Sequence, residues 1–251
     1  MSTALVSLLD WLRETLEPEQ FRDYCPNGLQ VEGRAQVSKL ATGVTANQDV
    51  LDQAIAWGAD AILVHHGYFW KGEPEPVVGM KRKRLATLLS NDVSLIAYHL
   101  PLDAHPVLGN NARLGEMMGV SAPEPLQPGE PASVGNIGSL STTAGELCAL
   151  LQKLTNRQPL LIGQPGHAVQ RVAWCTGAAQ SYIDAAVSAG ADVFVTGEVS
   201  EPTVHAAREQ GIAFIAAGHH ATERYGVQAV GEALAQAFAV EHRFFDVDNP
   251  V

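Results

Sequence analysis

An α/β layered fold assembled from a duplicated strand–helix unit follows from three features of this 251-residue sequence. Short apolar runs alternate with amphipathic helical stretches along most of the chain. One such stretch recurs at an offset of 132 residues. The residues best able to bind a ligand fall at the carboxyl ends of the apolar runs in both copies, the edge where open α/β sheets bind ligands.

The elements follow in order. The opening "MSTALVSLLDWLRETLEPEQF" predicts an amphipathic helix and not a signal peptide. Its apolar stretch is broken by Asp10, Arg13 and Glu14, and no small-residue cleavage site follows. Residues 39–44 predict a strand, 48–57 a helix ended by Gly58, 60–64 a strand covered on both faces, and 80–91 a helix. A strand is expected at 93–98 and a short helix at 112–118 before Gly119. The Pro- and Gly-rich "SAPEPLQPGEPAS" (121–133) reads as a loop or linker. A bridging region follows, with a helix near 143–154 and a short strand at 160–163. Then come a strand at 170–175, a helix at 180–189, a strand at 192–196, a helix near 202–210 and a strand at 212–217. A helix from about 222 to 238 and "RFFDV" as a last strand close the chain. The expected organisation is a first α/β repeat over 1–120, a linker and bridging segment over 121–170, and a second repeat over 171–251.

The duplication rests on laying residues 39–66 over 171–198. Ala41 meets Ala173, Gln48 meets Gln180, Asp52 meets Asp184, and Gly58-Ala59-Asp60 meets Gly190-Ala191-Asp192. The next strand aligns at an offset of 120, with Leu95, Ala97 and His99 over Ile215, Ala217 and His219, and Asp103 over Glu223. Shared secondary structure alone makes such units resemble one another, but the identities fall in one ungapped frame. A duplicated fold would relate the two strand edges by a pseudo-two-fold axis.

Those edges carry His65, His66, His99 and Asp103 in the first copy, and Glu198, His219, His220 and Glu223 in the second. Each has an ordinary reading taken singly: a hydrogen-bonded core imidazole, a turn aspartate, a first-turn helix glutamate. Together, His, Asp and Glu without Cys suit zinc, iron or manganese. Two divalent ions fit better than one. Consecutive strand residues face opposite ways, so His65 and His66 can serve two ions if the strand breaks at Gly67. A carboxylate such as Glu223 can bridge an ion pair, and two ions roughly 3.5–4 Å apart would activate a water. In "GHHATERYG" both His219 and His220 lie within helical reach of Glu223; local spacing does not choose between them, and the repeat frame selects His219. In "HLPLD", Pro101 predicts an extended turn presenting His99 and Asp103. His205 is expected on a helix face, Trp70 as a loop anchor near the site, and His105, His167 and His242 as surface or structural residues.

Composition narrows the function. The formal net charge of −11 argues against a protein built mainly to grip nucleic acid. "KRKR" (81–84) reads as a solvated helix face; phosphate contact there would show as steep salt dependence. Three widely spaced cysteines with no CxxC exclude a cysteine zinc site and suit a reducing, cytoplasmic location. No apolar run approaches the roughly 20 residues of a membrane span. There is neither a phosphate-loop GxxxxGK[ST] nor a GxSxG elbow.

The motifs "NGLQVEG" (27–33), "ILVHHG" (62–67), "YHLPLD" (98–103), "VTGE" (195–198) and "GHHATERYG" (218–226) occur in this order over most of the chain. In them the sequence resembles the Nif-three-like family, also called GTP cyclohydrolase I type 2 homologues. The resemblance implies two intertwined α/β halves with mixed sheets, a dinuclear metal site and a ring-shaped hexamer. It implies His65, His66, Asp103, His219 and Glu223 as ligands, with His99 and Glu198 as neighbouring groups for acid/base work. The resulting expectation is a dinuclear metal-dependent hydrolase acting on a small molecule, possible substrates including a nucleotide whose ring it opens. The alternative is a non-enzymatic metal-binding ring or adaptor. Fold and metal site are shared across many reactions, so the family name does not fix the substrate.

Overall fold

The computed structural model describes residues 2–129 and 133–251. Part of the expected linker, 130–132, lies outside the described residues. In chain order the elements are β1 (Thr3–Ala4), α1 (Leu5–Leu16), β2 (Gly28–Val31), β3 (Gln36–Val37), β4 (Lys39–Thr45), α2 (Gln48–Trp57), β5 (Ala61–His66), α3 (Gly79–Ser90) and β6 (Ser94–Ala97). There follow α4 (Leu100–Ala104), α5 (Asn110–Met118), β7 (Ser121–Pro125), β8 (Asn136–Thr143), α6 (Ala144–Thr155), β9 (Leu160–Ile162) and β10 (Ala168–Trp174). The rest are α7 (Ile183–Ser188), β11 (Val193–Thr196), α8 (Glu201–Gln210), β12 (Ala213–Ala216), α9 (His219–Thr222), α10 (Arg224–Phe238) and β13 (Glu241–Phe244). Contacts group these into two units: the chain up to Leu102 with Gly226–Asp248, and Asp103–Tyr225 with Asn249–Val251. The units and the sequence repeat cut the chain at different points, because β13 returns to pair with β4.

In the first unit a five-stranded mixed sheet runs β13-β4-β5-β6-β2, parallel except for β2. The β5 run Ala61-Ile62-Leu63-Val64 is buried throughout, as a strand covered on both faces requires. One face packs Ile62, Val64, Leu95 and Ala97 against Val50, Leu51 and Ala54 of α2 and Leu88 of α3. Asn47 caps α2 by accepting from the Val50 N–H at 2.9 Å.

In the second unit a six-stranded mixed sheet runs β7-β8-β10-β11-β12-β9, with β10, β11 and β12 parallel. One face holds Trp174, Val193, Val195 and Ile215 against Leu147 and Leu151 of α6; the other holds Phe194 and Phe214 against Ile183, Ala186 and Ala207. A capping box between Thr143 and Glu146 starts α6.

The same device fixes strand entry in each unit. Asp60 Oδ2 accepts from the Ser38 and Lys39 N–H groups at 2.7 and 3.0 Å. Asp192 Oδ2 accepts from those of Gln170 and Arg171 at 2.8 and 2.9 Å. Leu40 lies opposite Ala61, and Val172 opposite Val193, which agrees with the offset of 132. The third strand corrects the expected offset of 120. Ala61 lies opposite Ser94 and Val193 opposite Ala213, an offset of 119. Bonds from Tyr98 N to Val64 O (3.1 Å) and Ala217 N to Thr196 O (2.8 Å) hold that register to the strand ends. A one-residue slip exchanges the faces of a strand, so the identical pairs that suggested 120 do not occupy matching sheet positions.

Two other expectations are corrected. Residues 100–104 form α4 and not an extended turn. Pro101 sits in the first turn, where a missing N–H costs no helical bond. Residues 121–125 form β7, an exposed edge strand paired with β8. Prolines at an edge need not donate to a ladder.

His242 of β13 is partly buried, with Nε2 2.9 Å from Thr42 Oγ1 and against Gly231 of α10. Burial lowers its affinity for a proton, opposed in part by the charge of Glu232. The unfolded chain therefore binds a proton here first as pH falls. This contribution to stability is complete above about pH 6.5, the ordinary histidine value. It is lost as pH drops from there toward the lower folded value. Urea unfolding at a series of pH values is expected to show a weaker acid-side decline in His242→Gln than in the parent; equal slopes would remove His242 as the cause.

Candidate metal centre

In the first unit β5 carries His65 and His66 as its last two residues. The strand breaks at Gly67 as expected, and His66, opposite Thr45, is its last paired residue. The rings of His65 and His66 converge past the end of the ladder, with centroids 4.5 Å apart. His65 is fully buried, and its Nδ1 lies 3.0 Å from the Tyr98 carbonyl oxygen. A carbonyl only accepts, so Nδ1 carries the hydrogen and Nε2 keeps the lone pair. His66 Nδ1 lies 3.1 Å from Thr45 Oγ1. His99, two residues past β6, has Nδ1 2.6 Å from Asp23 Oδ1. Its ring is 5.1 Å from that of His65 and 5.8 Å from that of His66. One ligand atom from each of these three imidazoles lies within 4.8 Å of the others.

Trp70 donates its Nε1–H to the Gly67 carbonyl and stands edge-on to His99 at 5.0 Å. It is therefore a loop anchor and a wall of this cluster at once. Lys81 is not a solvated cation: it pairs with Glu73 at 3.2 Å and lies over the Phe69 ring.

In the second unit Asp103 is buried. Its Oδ1 accepts from Asn110 Nδ2 at 2.9 Å and Thr176 Oγ1 at 3.3 Å. Asn111 ties this region together, donating Nδ2 to the Asp103 carbonyl and accepting from Thr176 N–H. His219 Nδ1 lies 2.7 Å from Glu198 Oε1, and its Nε2 lies 3.2 Å from Glu223 Oε2. Burial alone would lower the His219 pKa, but Glu223 and then Glu198 outweigh it and raise it to about 9. Two carboxylates around one imidazole concentrate negative charge of the kind a divalent cation neutralises. The main-chain N–H of His220 goes to the Val251 carbonyl, and it is the His219 ring that meets both glutamates. His205 lies on the outer face of α8, paired with Glu201.

The structure groups His65, His66 and His99 in the first unit, and Glu198, His219 and Glu223 in the second, where Asn110 and Thr176 also hold Asp103. Sequence reasoning missed Asp23, Asn27, Asn110 and Thr176. Asp23 and Asn27 sit in "DYCPNG", a turn-forming stretch with no periodicity. The only available signal was Asn27, inside the "NGLQVEG" motif.

The donor chemistry fits a metal. In His65 and His99 an acceptor takes the Nδ1–H and leaves Nε2 as donor; Glu198 does the same for His219. This partnering is usual for metal-binding imidazoles and their neighbours. Fold and side chains together define a mixed α/β protein with His and carboxylate clusters able to hold metal ions. The chain belongs to the Duf34/NIF3 (NGG1p interacting factor 3) family, which it matches over residues 3–250. It is 54% identical over 252 residues to a GTP cyclohydrolase 1 type 2 homolog of Pseudomonas aeruginosa, covering 100% of both chains. The homolog of Escherichia coli K12 is 51% identical over 240 residues, with 95% of this chain and 96% of that one covered. Among solved structures, protein ybgI superposes with a TM-score of 0.93 at 47% identity, over 99% of this chain and 100% of that one. TTHA1606 from Thermus thermophilus gives 0.90 at 32% identity, with 99% and 100% covered. No described helix is long and apolar enough to cross a membrane.

Proposed function

We propose that this protein is a dinuclear metal-dependent hydrolase acting on a nucleotide. The observation that carries the reading is the shared arrangement of the imidazoles: Nδ1 is engaged in His65, His66, His99 and His219. His65, His66, Asp103, His219 and Glu223 would hold two divalent ions, of zinc, iron or manganese. When bound, such ions supply Lewis-acid activation of water and stabilisation of developing negative charge. The chain's own residues do the rest. Glu198 orients His219, Asn110 and Thr176 orient Asp103, and His99 accepts and returns a proton at Nε2. The naming of the relatives supports a nucleotide as substrate. The common registers of β4–β5 and β10–β11, and the matching bonds of Asp60 and Asp192, support descent of both sheets from one duplicated unit. Self-association into a hexameric ring belongs to the same reading.

Metal analysis coupled to a hydrolysis screen over nucleotides, with each of the three ions added in turn, tests it. Turnover that needs the metal is the expected result; loaded protein inert across the panel would favour a metal-binding assembly without catalysis. Glu223→Ala is expected to lose at least one ion per chain, and unchanged stoichiometry would remove Glu223 from the ligand set.

A further inference from the structure

We propose that Asp23 is a positioning residue that locks His99 as its Nδ1–H tautomer, leaving Nε2 as the proton-accepting atom of the cluster; the catalytic use of that atom rests on the hydrolase reading. Asp23 is nearly inaccessible, its side chain 3% exposed. Its carboxylate is saturated. Oδ1 accepts from the Tyr24 N–H and from His99 Nδ1, each at 2.6 Å. Oδ2 accepts from Asn27 Nδ2 and the Leu100 N–H, each at 2.9 Å. Asn27 in turn accepts from the His99 N–H at 2.8 Å. One five-residue turn therefore grips both the ring and the backbone of His99. Tyr24 and Trp70 pack edge-on to the same ring, at 6.5 and 5.0 Å.

Two alternatives fail on this geometry. Asp23, Cys25 and His99 bring ligand atoms within 4.8 Å of one another, as a metal site would. But Asp23 has no acceptor position left without breaking a hydrogen bond. Cys25 is also held as the thiol, pushed up to about 12 by burial and then by Asp23, whereas a metal needs the thiolate. The second alternative makes His99 one more ligand like its neighbours. In this unit, however, the Nδ1 partners of His65 and His66 are a carbonyl and a hydroxyl. His99 rests through Nδ1 on the Asp23 carboxylate, which fixes the tautomer whose Nε2 carries no hydrogen and takes a proton in the reaction. That proton comes from the attacking water and passes to the leaving group. Nδ1 keeps its hydrogen throughout, and the pair ends the cycle as it began.

The test uses full-length protein labelled with 15N-histidine and loaded with Zn²⁺, read by long-range proton–nitrogen NMR. The expected spectrum shows His99 protonated at Nδ1, with Nε2 neither protonated nor zinc-shifted. Asp23→Asn should retain the zinc and turn His99 into a mixture of tautomers, and Asp23→Glu should restore Nδ1–H. His99→Gln should leave zinc content unchanged. A His99 protonated at Nε2 in the parent, an unaltered tautomer in Asp23→Asn, or zinc lost from either variant would overturn the inference. If Asp23→Asn does not fold, the parent spectrum and the His99→Gln zinc content decide. The expected spectrum together with no turnover in the nucleotide screen would sink the hydrolase reading and leave the locked tautomer standing.

Discussion

Gly177→Ala is expected to displace the Glu223 carboxylate, and with it the metal binding proposed for that group, while the chain still folds. A Cβ at this position would lie 2.0 Å from Glu223 Oε1 and 3.1 Å from its Cδ. Real Cβ atoms do not approach that closely, so one of the two must move. Glu223, 3% exposed, lies between α9 and α10. The main chain of Gly177 is pinned, its N–H given to Thr222 Oγ1 and its carbonyl accepting from Thr196 Oγ1 and the Gly197 N–H. The side chain of Glu223 therefore gives way. Gly177 has φ +70°, which adds roughly 1–2 kcal/mol of strain for alanine. The control is Gly190→Ala: φ is +75° there, but nothing lies within 4 Å of the new methyl group. Gly190→Ala should lower stability by about as much as that strain and keep full metal content. Gly177→Ala should lose metal as Glu223→Ala does and fall further in thermal stability. Metal analysis and thermal melts on both variants check this; equal metal content in the two would show that the contact is not what shapes the site.

The largest loss of stability is expected at Trp174. It is 1% exposed, fills the second unit's core, and lies so close to Gly115 that a Cβ there would come within 2.4 Å of its ring. Trp174→Ala should cost about 3–5 kcal/mol, the range for emptying a buried aromatic site. The consequence reaches Asp103, a ligand of the proposed metal site, through hydrogen bonds. Trp174 Nε1 donates to the Asn111 carbonyl at 2.8 Å. Asn111 holds Thr176 and the Asp103 carbonyl, and Thr176 donates to Asp103 Oδ1. Trp174→Phe keeps most of the volume and removes only the indole donor. It should cost about 1–3 kcal/mol and weaken metal binding through Asp103 without changing the number of sites. Denaturant midpoints and metal titrations separate the two effects. A Trp174→Ala protein destabilised by less than about 1 kcal/mol would mean that the core relaxes around the gap.

The regular elements were legible because burial imposes a period. Residues 61–64 are apolar because the sheet is covered on both sides there, and α2 shows its apolar face at helical spacing. What was misread lacks a period. The α4 turn was hidden by a proline whose effect depends on its place in a helix. Strand β7 is fully exposed, so no alternation marked it. The third-strand offset was set by matching letters, whereas its register is set by ladder bonds that leave no mark in composition.

By itself the sequence determined two kinds of thing: where chain segments become strands and helices, and which chemical groups stand at the strand ends. Both are local, following from burial pattern and residue type. Only the tertiary structure decided which nitrogen each imidazole presents, that a glycine leaves space for Glu223, and that Asp23 meets a histidine 76 positions away. Such pairings come from hydrogen bonds between turns distant in sequence, where any of several aspartates would read alike until the fold selects one.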